Sequence, residues 1–337
     1  MKCKTKNLLT EEQIKMLVNK NFGNNCIIKN IKELKGGMFN SAYLIEAEGN
    51  NLVLKVSVGP DTPLLSYEKD IMAREIEVYQ IITDKTEIPV PKVLAVDFSK
   101  RLISSNYFFM TALQGNAMNT LTKKLKVENK DKLKEELARY FAQLHQVKGV
   151  YFGYFTEDSK YRFSTWREGF LHMTDMILND GKKLQIALPY ERIEKVLKET
   201  AHYLDGIMEP ALVDYDLWAG NVFLIQEGEE YKVEGILDFE RAFWGDPLAD
   251  FPSAMMILQE LKKEKAFFKV YAKETGREEK LSKEDLVRLT LYKTYLHLIM
   301  TVETYRYNFL YACFQKSYAK KVVLKCIKEL EEKGLNC

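Results

Sequence analysis

The sequence predicts an α+β fold with two lobes: a small antiparallel sheet with one long helix, followed by a larger, mainly helical lobe. Strand-like segments are concentrated in the first 113 residues, whereas helical spacing dominates residues 114–337. Because strands and helices are segregated rather than alternating, a doubly wound parallel sheet is disfavoured. We therefore expect one lobe over residues 1–113 and a second over residues 114–337.

The N-terminal elements each carry a local signal. Thr10 and Gln13 fit a capping box at the start of a first helix, and Gly23 ends that helix. A second helix is predicted over residues 67–83, where apolar residues recur at helical spacing. The segments with strand character, separated by glycine- or proline-containing turns, are 27–34, 41–48, 51–58, 88–97 and 106–113.

The second lobe shows helical patterns with one interruption. Amphipathic spacing predicts helices over residues 132–147, 166–178 and 190–204, and Ser282 with Asp285 is a further capping signal. Between these helices lies a small β-element, predicted at 211–213, 222–225 and 232–237.

The composition is that of an ordinary globular protein. The chain has 46% hydrophobic and 29% charged residues. Its net charge of +2 gives no indication of binding to nucleic acid or to an anionic membrane. No apolar run approaches the ~18–20 residues of a membrane span, and the start lacks a secretory apolar stretch. The five cysteines are scattered without a Cys-x-x-Cys pair. We expect a cytoplasmic monomer or weak dimer that binds neither nucleic acid nor membrane.

Polar residues that could bind a metal and a hydroxyl group follow the strands of the β-element. Asp216 and Asn221 lie in "VDYDLWAGNVFL" (213–224), and Asp238 ends the strand "KVEGIL". Mg²⁺ prefers oxygen ligands and usually takes only one or two from protein, which suits Asn221 and Asp238. A carboxylate at Asp216 could orient a hydroxyl group and accept its proton.

A lysine and a glutamate in the first lobe complete the pattern. Lys55 lies on a predicted strand and Glu75 on the following helix, so an ammonium group fixed by a carboxylate could bind nucleotide phosphates. Taken singly, each residue could also have a purely structural role. Lys55 and Glu75 could be solvent-exposed charges, Asp216 could cap its own turn, and Asp238 could be a helix N-cap. Together and in this order they favour a phosphoryl-transfer site.

The pattern resembles two families of kinases. A strand lysine, a helix glutamate, Asp-Leu-x-x-x-Asn and Asp-Phe-x resemble the protein-kinase signature set. The chain lacks Gly-x-Gly-x-x-Gly, a His-Arg pair before Asp216 and an Ala-Pro-Glu segment. It is more similar to the aminoglycoside phosphotransferase and choline kinase-like family, over about residues 34–251. The most specific matching stretches are "LVDYDLWAGNVFL" and "GILDFERAFWGDPLADF".

This resemblance implies a bilobal protein kinase-like fold that binds ATP, with GTP possible, between a nucleotide-binding N-terminal lobe and a C-terminal lobe that carries the Mg²⁺ site and the acceptor pocket. The terminal phosphoryl group would pass to a hydroxyl of a small molecule, which could be an aminoglycoside-type antibiotic, a sugar, a sugar-amine or an amino alcohol. With an antibiotic as the acceptor, the protein would be an antibiotic-resistance enzyme. By matching positions, Asp216 would be the catalytic base, Asn221 and Asp238 the metal ligands, and Lys55 with Glu75 the phosphate-binding pair. The nucleotide would also contact the turn residues Gly36, Gly37, Asn40 and Ser41 and the hinge residues Thr111 and Leu113.

Some features leave alternatives open. The family usually has His-Gly before the catalytic aspartate, where this chain has Asp214-Tyr215. Asp214 could raise the pKa of one member of a carboxylate pair, bind a cationic acceptor or pair with Arg241. Trp166 and Trp244 could contact the acceptor or pack in the core.

Two further interpretations concern polar residues outside this motif. Asp246 and Asp250, in "GDPLAD", are expected to cap a helix N-terminus, and His145 is expected to be a core histidine. For the whole chain, the alternative to a catalytic role is a nucleotide-binding pseudokinase with a regulatory role.

Overall fold

An antiparallel sheet of five strands forms the N-terminal part of the molecule. The computed structural model describes residues 6–258 and 264–334, apart from residues 36 and 38. The elements of this part are α1 (Glu11–Phe22), β1 (Ile28–Glu33), β2 (Ser41–Ala47), β3 (Leu52–Val56), α2 (Ile71–Lys85), β4 (Val93–Asp97) and β5 (Tyr107–Thr111). The strand order is β1-β2-β3-β5-β4, and the two helices pack on opposite faces of the sheet, α1 on one and α2 on the other.

The remainder is mainly helical and contains two small sheets. Its helices are α3 (Met118–Leu121), α4 (Val127–Gln146), α5 (Trp166–Lys183), α6 (Tyr190–Thr200), α7 (Phe251–Leu258), α8 (Lys265–Thr275), α9 (Lys283–Val302) and α10 (Phe309–Gly334). Its strands are β6 (Asn116–Ala117), β7 (Gly153–Tyr154), β8 (Ala211–Val213), β9 (Val222–Glu227), β10 (Glu230–Ile236) and β11 (Phe243–Gly245). They pair as β10-β9-β6 and β7-β11-β8.

The predicted α+β arrangement is confirmed, with shifts at element ends. The capping boxes at Thr10 and Ser282 are both present. The helix predicted from residue 67 begins at Ile71, because Ser66–Glu68 form a 3-10 turn and Asp70 adopts a left-handed conformation that interrupts the helix. None of the helices in the described ranges combines the length and apolar character needed to cross a bilayer. The division at residues 113 and 114 stays a prediction.

Strand β3 is buried on both faces, and this positions its lysine. Leu54 belongs to the cluster under α1, whereas Val53 belongs to the main core shared with α2 and the helical part. Side chains alternate along a strand, so Lys55 lies on the same face as Val53. The sheet therefore directs the Lys55 ammonium group toward α2 and the helical part.

The segment between β3 and α2 is fastened to the helical part by polar contacts. Ser66 donates from its backbone N–H and its hydroxyl to Asp180 on α5, at 2.6 and 2.8 Å. Glu68 pairs with Arg306, and both side chains are almost fully buried. These contacts fix the start of α2, and with it Glu75, relative to the helices that follow.

One glycine is required where the chain leaves the N-terminal sheet. A Cβ atom on Gly115 would lie 2.1 Å from the Leu224 carbonyl oxygen, whereas one on Gly206 would meet nothing within 4 Å. We expect Gly115→Ala to lower the free energy of unfolding by about 1–3 kcal/mol, since the backbone must shift to relieve the clash. Gly206→Ala is the matched control and should stay within about 0.5 kcal/mol of the wild type. Urea unfolding measures both; equal stabilities of the two variants would contradict this reading of Gly115.

Candidate active site

Lys55 is the centre of a buried cluster of charges between the sheet and the helical part. Its Nζ lies 2.9 and 2.7 Å from the two carboxylate oxygens of Glu75 and 2.7 Å from Oδ1 of Asp238. Glu240 Oε2 is 3.6 Å away. Strand β3, helix α2 and the segment after β10 thus meet at one ammonium group.

The conformation at Asp238 aims its carboxylate at the lysine. Asp238 has a φ of +72°, which places it in the left-handed region, and it precedes the 3-10 turn Phe239–Arg241. Its side chain makes no capping hydrogen bond to that turn and instead contacts Lys55. The geometry therefore disfavours the helix-cap interpretation of Asp238 and leaves its carboxylate paired with Lys55.

One ammonium group cannot neutralise three carboxylates. Burial raises the pKa of Glu75 to about 7 and that of Glu240 to about 8, and the charge of Asp238 adds to both shifts. For Lys55, burial opposes the charged form, but Asp238, Glu75 and Glu240 outweigh it and hold its pKa well above the usual range. Ligand oxygens of the three acids lie within 4.8 Å of one another, so the donor set fits a hard divalent cation.

Asp216 and Asn221 lie in the turn between β8 and β9, joined by a hydrogen bond. The Asn221 side-chain amide donates to the Asp216 carbonyl oxygen at 2.9 Å, which fixes the turn. The Asp216 side chain is 21% exposed, and its Oδ1 lies 3.7 Å from Arg241 Nη1. Burial raises the pKa of Asp216 to about 7. Arg241 opposes this rise in the pKa, and the charge of Asp238 adds to it.

Asp214 is fully buried, so direct contact with an acceptor would require a rearrangement. Neither of its carboxylate oxygens has a hydrogen-bond partner in the described part of the chain, although the Asp216 backbone N–H partly stabilises the charge. Burial raises the pKa of Asp214 well above its usual range, and Asp250 and Asp216 add to the effect. Arg241, which could have paired with Asp214, contacts Asp216 and Glu303 instead.

Tyr215 occupies the position where the family usually has glycine, and it keeps a conformation that glycine favours. Its φ is +64°. The backbone N–H of Tyr215 donates to Asp250 Oδ1 at 2.6 Å, and its hydroxyl donates to the Tyr292 carbonyl oxygen at 2.7 Å. These bonds and the complete burial of the ring offset a strain of roughly 1–2 kcal/mol.

Asp250 is a positioning residue that the sequence pattern did not reveal. We expected it to cap a helix, but its carboxylate accepts from the backbone N–H groups of Asp214 and Tyr215 and contacts His145 Nε2 at 2.9 Å. His145 also bonds Tyr271 through its other ring nitrogen, as expected of a core histidine. Asp246 does cap the following turn and also pairs with Arg288.

Asn40 of the turn contacts the cluster, and the hinge residues lie at the end of β5 and just after it. Asn40 donates to Glu240 Oε2 at 3.1 Å, and Ser41 is the fully buried first residue of β2. Gly37 lies in the same turn, and Gly36 is outside the described residues. At the hinge, Thr111 donates its backbone N–H to Lys92, whereas Leu113 donates no backbone hydrogen bond within the described ranges. Of the two hinge residues, the N–H of Leu113 is the one left for a ligand.

The segment after the hinge depends on a glutamate that the sequence analysis missed. Glu234 on β10 accepts from the backbone N–H groups of Gln114 and Gly115, at 2.7 and 2.6 Å. Leu113 packs over Gly235, where a Cβ atom would come within 2.8 Å of its side chain. No motif spacing links residues 113–115 to Glu234, because they meet only through sheet pairing.

Both candidate tryptophans lie in the core. Trp166 is completely buried, stacks on Phe243 and donates its indole N–H to the Tyr292 hydroxyl at 2.8 Å. Trp244 is 6% exposed and packs against Phe155 and Gly149. The geometry favours the core-packing alternative for both side chains over contact with an acceptor.

Comparison with solved structures defines the class of fold. A protein assigned as an aminoglycoside phosphotransferase, from Ralstonia eutropha JMP134, matches with a TM-score of 0.67 at 14% identity, covering 96% of this chain and 98% of that one. A protein assigned as a fructosamine-3-kinase, from Haemophilus somnus 129PT, matches with a TM-score of 0.63 at 19% identity, covering 93% and 97%. The fold is therefore the protein kinase-like fold that the resemblance implied.

The family follows from the sequence itself. Residues 30–277 match the model of the phosphotransferase enzyme family, APH, and the chain belongs to that family. The prediction of a phosphotransferase that acts on hydroxyl groups is thereby confirmed. A ternary complex of the aminoglycoside phosphotransferase APH(4)-Ia with AMP-PNP and hygromycin B has a TM-score of 0.63 at 16% identity, covering 94% of this chain and 98% of that one. A comparison with curated proteins gives no significant match.

The buried Asp214 carboxyl generates a prediction about stability. Because folding raises the pKa of Asp214, the folded chain holds this proton to a higher pH than the unfolded chain, which loses it above about pH 4. Its contribution to stability is therefore full below that pH and is lost as the pH rises toward the folded pKa. Asp214→Asn does not titrate, so we expect it to gain stability relative to the wild type by up to about 1.4 kcal/mol per pH unit from pH 4 upward.

Urea unfolding of both proteins at pH 4, 6 and 8 tests this prediction. The difference in the free energy of unfolding should be smallest at pH 4 and largest at pH 8. A difference that is constant over this range would show that Asp214 titrates alike in the folded and unfolded chains.

Proposed function

We propose that this protein transfers the terminal phosphoryl group of a nucleoside triphosphate, ATP or GTP, to a hydroxyl group of a small molecule in a Mg²⁺-dependent reaction. The observation that carries the proposal is the convergence of Lys55, Glu75, Asp238 and Glu240 beside the Asp216 turn. These residues come from distant parts of the chain and from both the sheet and the helical part. A buried excess of carboxylates next to one lysine suits a metal-bound polyphosphate.

The proposed reaction assigns separate roles to Asp216 and to Lys55. The acceptor oxygen forms a bond with the γ-phosphorus, the bond from that phosphorus to the β–γ bridging oxygen breaks, and the nucleoside diphosphate leaves. Asp216 orients the acceptor hydroxyl and takes its proton, for which a pKa of about 7 is well matched near neutral pH. Lys55, held by Glu75, binds the phosphates that leave.

Asp238 and Asn221 are the side chains that would hold Mg²⁺ in this proposal. Glu240 would be a further oxygen donor, since its ligand oxygen and that of Asp238 lie within 4.8 Å of each other. A Mg²⁺ ion held there would supply positive charge to the phosphate oxygens. Asn40 and Ser41 would lie over the phosphates, since Asn40 already contacts Glu240, and the Leu113 backbone would bind the nucleotide base. The backbone supports this choice of metal ligands, because the N–H of Leu237, the residue before Asp238, donates to the Asn221 carbonyl oxygen at 2.9 Å.

The acceptor remains one of several hydroxyl compounds. The APH(4)-Ia complex contains hygromycin B, so an aminoglycoside-type antibiotic is one candidate; a sugar, a sugar-amine or an amino alcohol are the others. The completely buried Asp214 offers a cationic acceptor no exposed carboxylate, and Arg241 lies beside Asp216. This arrangement gives no particular preference for a polycation.

A transfer screen tests the proposal directly. The protein is incubated with ATP or GTP and Mg²⁺ and with each acceptor class in turn, and products are identified by mass. We expect one class to gain the mass of a phosphoryl group. Nucleotide binding without transfer to any acceptor would favour the pseudokinase alternative, and a chelator should abolish transfer if Mg²⁺ is required.

Removing the proposed base should stop catalysis with little effect on nucleotide binding. We expect Asp216→Asn to lower kcat by about 10²–10⁴-fold, because the amide cannot accept the acceptor proton. The nucleotide Kd should change by less than about threefold, since Asp216 does not contact the Lys55 cluster directly. Glu128→Gln, an exposed substitution at the start of α4, is the control. A kcat near that of the control would remove Asp216 from this role.

A further inference from the structure

Arg241 lies between two carboxylates and contacts them unequally. Its Nη2 donates to Glu303 Oε1 at 2.7 Å, which is a direct charge-assisted hydrogen bond. Its Nη1 is 3.7 Å from Asp216 Oδ1, which is beyond hydrogen-bonding distance. The guanidinium group is therefore held by Glu303 and only faces Asp216.

Glu303 directly follows the last residue of α9, and its carboxylate is fixed by several hydrogen bonds. It is 4% exposed and begins the 3-10 turn Glu303–Arg306. Oε1 also accepts from the Tyr67 hydroxyl, and Oε2 accepts from the Tyr307 hydroxyl at 3.2 Å. Arg241 and Arg306 hold the pKa of this buried carboxyl below its usual value, against the effect of burial. Glu303 is thus a fixed negative charge whose position is set from several sides.

This residue is not part of the matched family region, which ends at residue 277. Its partners come from elements far apart: Tyr67 from the segment before α2, Arg241 from the turn after β10, Tyr307 from the segment before α10. Glu303, at the end of α9, therefore connects the segment before α2, which fixes Glu75, with Arg241, which lies beside Asp216.

We propose that Glu303 is a positioning residue: by holding Arg241, it keeps the guanidinium group from hydrogen bonding to Asp216 and so leaves the Asp216 carboxylate for the acceptor hydroxyl. The inference rests on the proposed function. An arginine beside a carboxylate prefers a short, often bidentate pair. Arg241 is less than 1 Å from hydrogen-bonding distance to Asp216, so without Glu303 a small movement would occupy the oxygen that must accept the proton.

Steady-state kinetics of Glu303→Gln, with the best acceptor found in the transfer screen, tests the proposal. We expect kcat to fall by about 10–100-fold, which is less than the loss expected on removing the general base, because Asp216 is still present but partly occupied by Arg241. The nucleotide KM should stay within about twofold. Tyr307→Phe is the matched control, because it removes a bond to Oε2 and leaves the Arg241 contact; it should keep kcat within about threefold.

A double-mutant cycle separates positioning from a general structural role. If Glu303 acts through Arg241, the fall in kcat caused by Glu303→Gln should shrink to less than about threefold in an Arg241→Met background. Equal losses in both backgrounds would overturn the proposal. Should Glu303→Gln fail to fold, Glu303→Asp retains the charge with a side chain one methylene shorter, and an unchanged kcat in that variant would overturn the proposal instead.

The outcomes also separate this inference from the proposed function. A wild-type protein that transfers no phosphoryl group to any acceptor overturns the proposed function, and the inference falls with it. An active wild-type protein with an unaffected Glu303→Gln variant overturns the inference alone.

Discussion

The ion pairs of Lys55 are the interaction on which both the fold and the site depend. One ammonium group is shared by Glu75 and Asp238, with Glu240 close by. The Lys55, Glu75 and Glu240 side chains are largely buried, whereas that of Asp238 is 33% exposed. Removing the lysine would leave several buried carboxylates without a counter-charge, which is strongly destabilising. Because its partners come from α2 and from the segment after β10, the same contact joins the N-terminal sheet to the helical part and gathers the charged groups of the candidate site.

Features set by neighbouring residues could be predicted from the sequence. The capping boxes at Thr10 and Ser282 depend on residues three positions apart, and the strands depend on alternation over a few residues. The pairing of Lys55 with Glu75 followed from a family pattern. The contacts of Asp250 with Tyr215 and of Glu303 with Arg241 span 35 and 62 residues. No local spacing marks such pairs, since only the packed fold brings them together.

The pair Asp214-Tyr215 shows that the backbone conformation, rather than the residue type, is what the turn requires. Tyr215 keeps a φ of +64° because Asp250 and the Tyr292 carbonyl oxygen hold its N–H and hydroxyl. Asp214 is buried beside it without a hydrogen-bond partner for either carboxylate oxygen within the described ranges, so the neutral acid is the favoured form. A tyrosine and a fully buried aspartate can therefore stand where the family usually has glycine and histidine.

Asp216 lies where two charge networks meet. On one side, the Lys55 cluster carries an excess of negative charge; on the other, Arg241 is held by Glu303. Asp238 and Glu303 raise the pKa of Asp216, and Arg241 and Lys55 lower it, but burial is the largest cause and leaves the value at about 7. A carboxylate with this pKa is a stronger base than an exposed aspartate and is still substantially ionised at neutral pH. The surrounding charges therefore set the proton affinity of Asp216 while leaving its carboxylate 21% exposed to an acceptor.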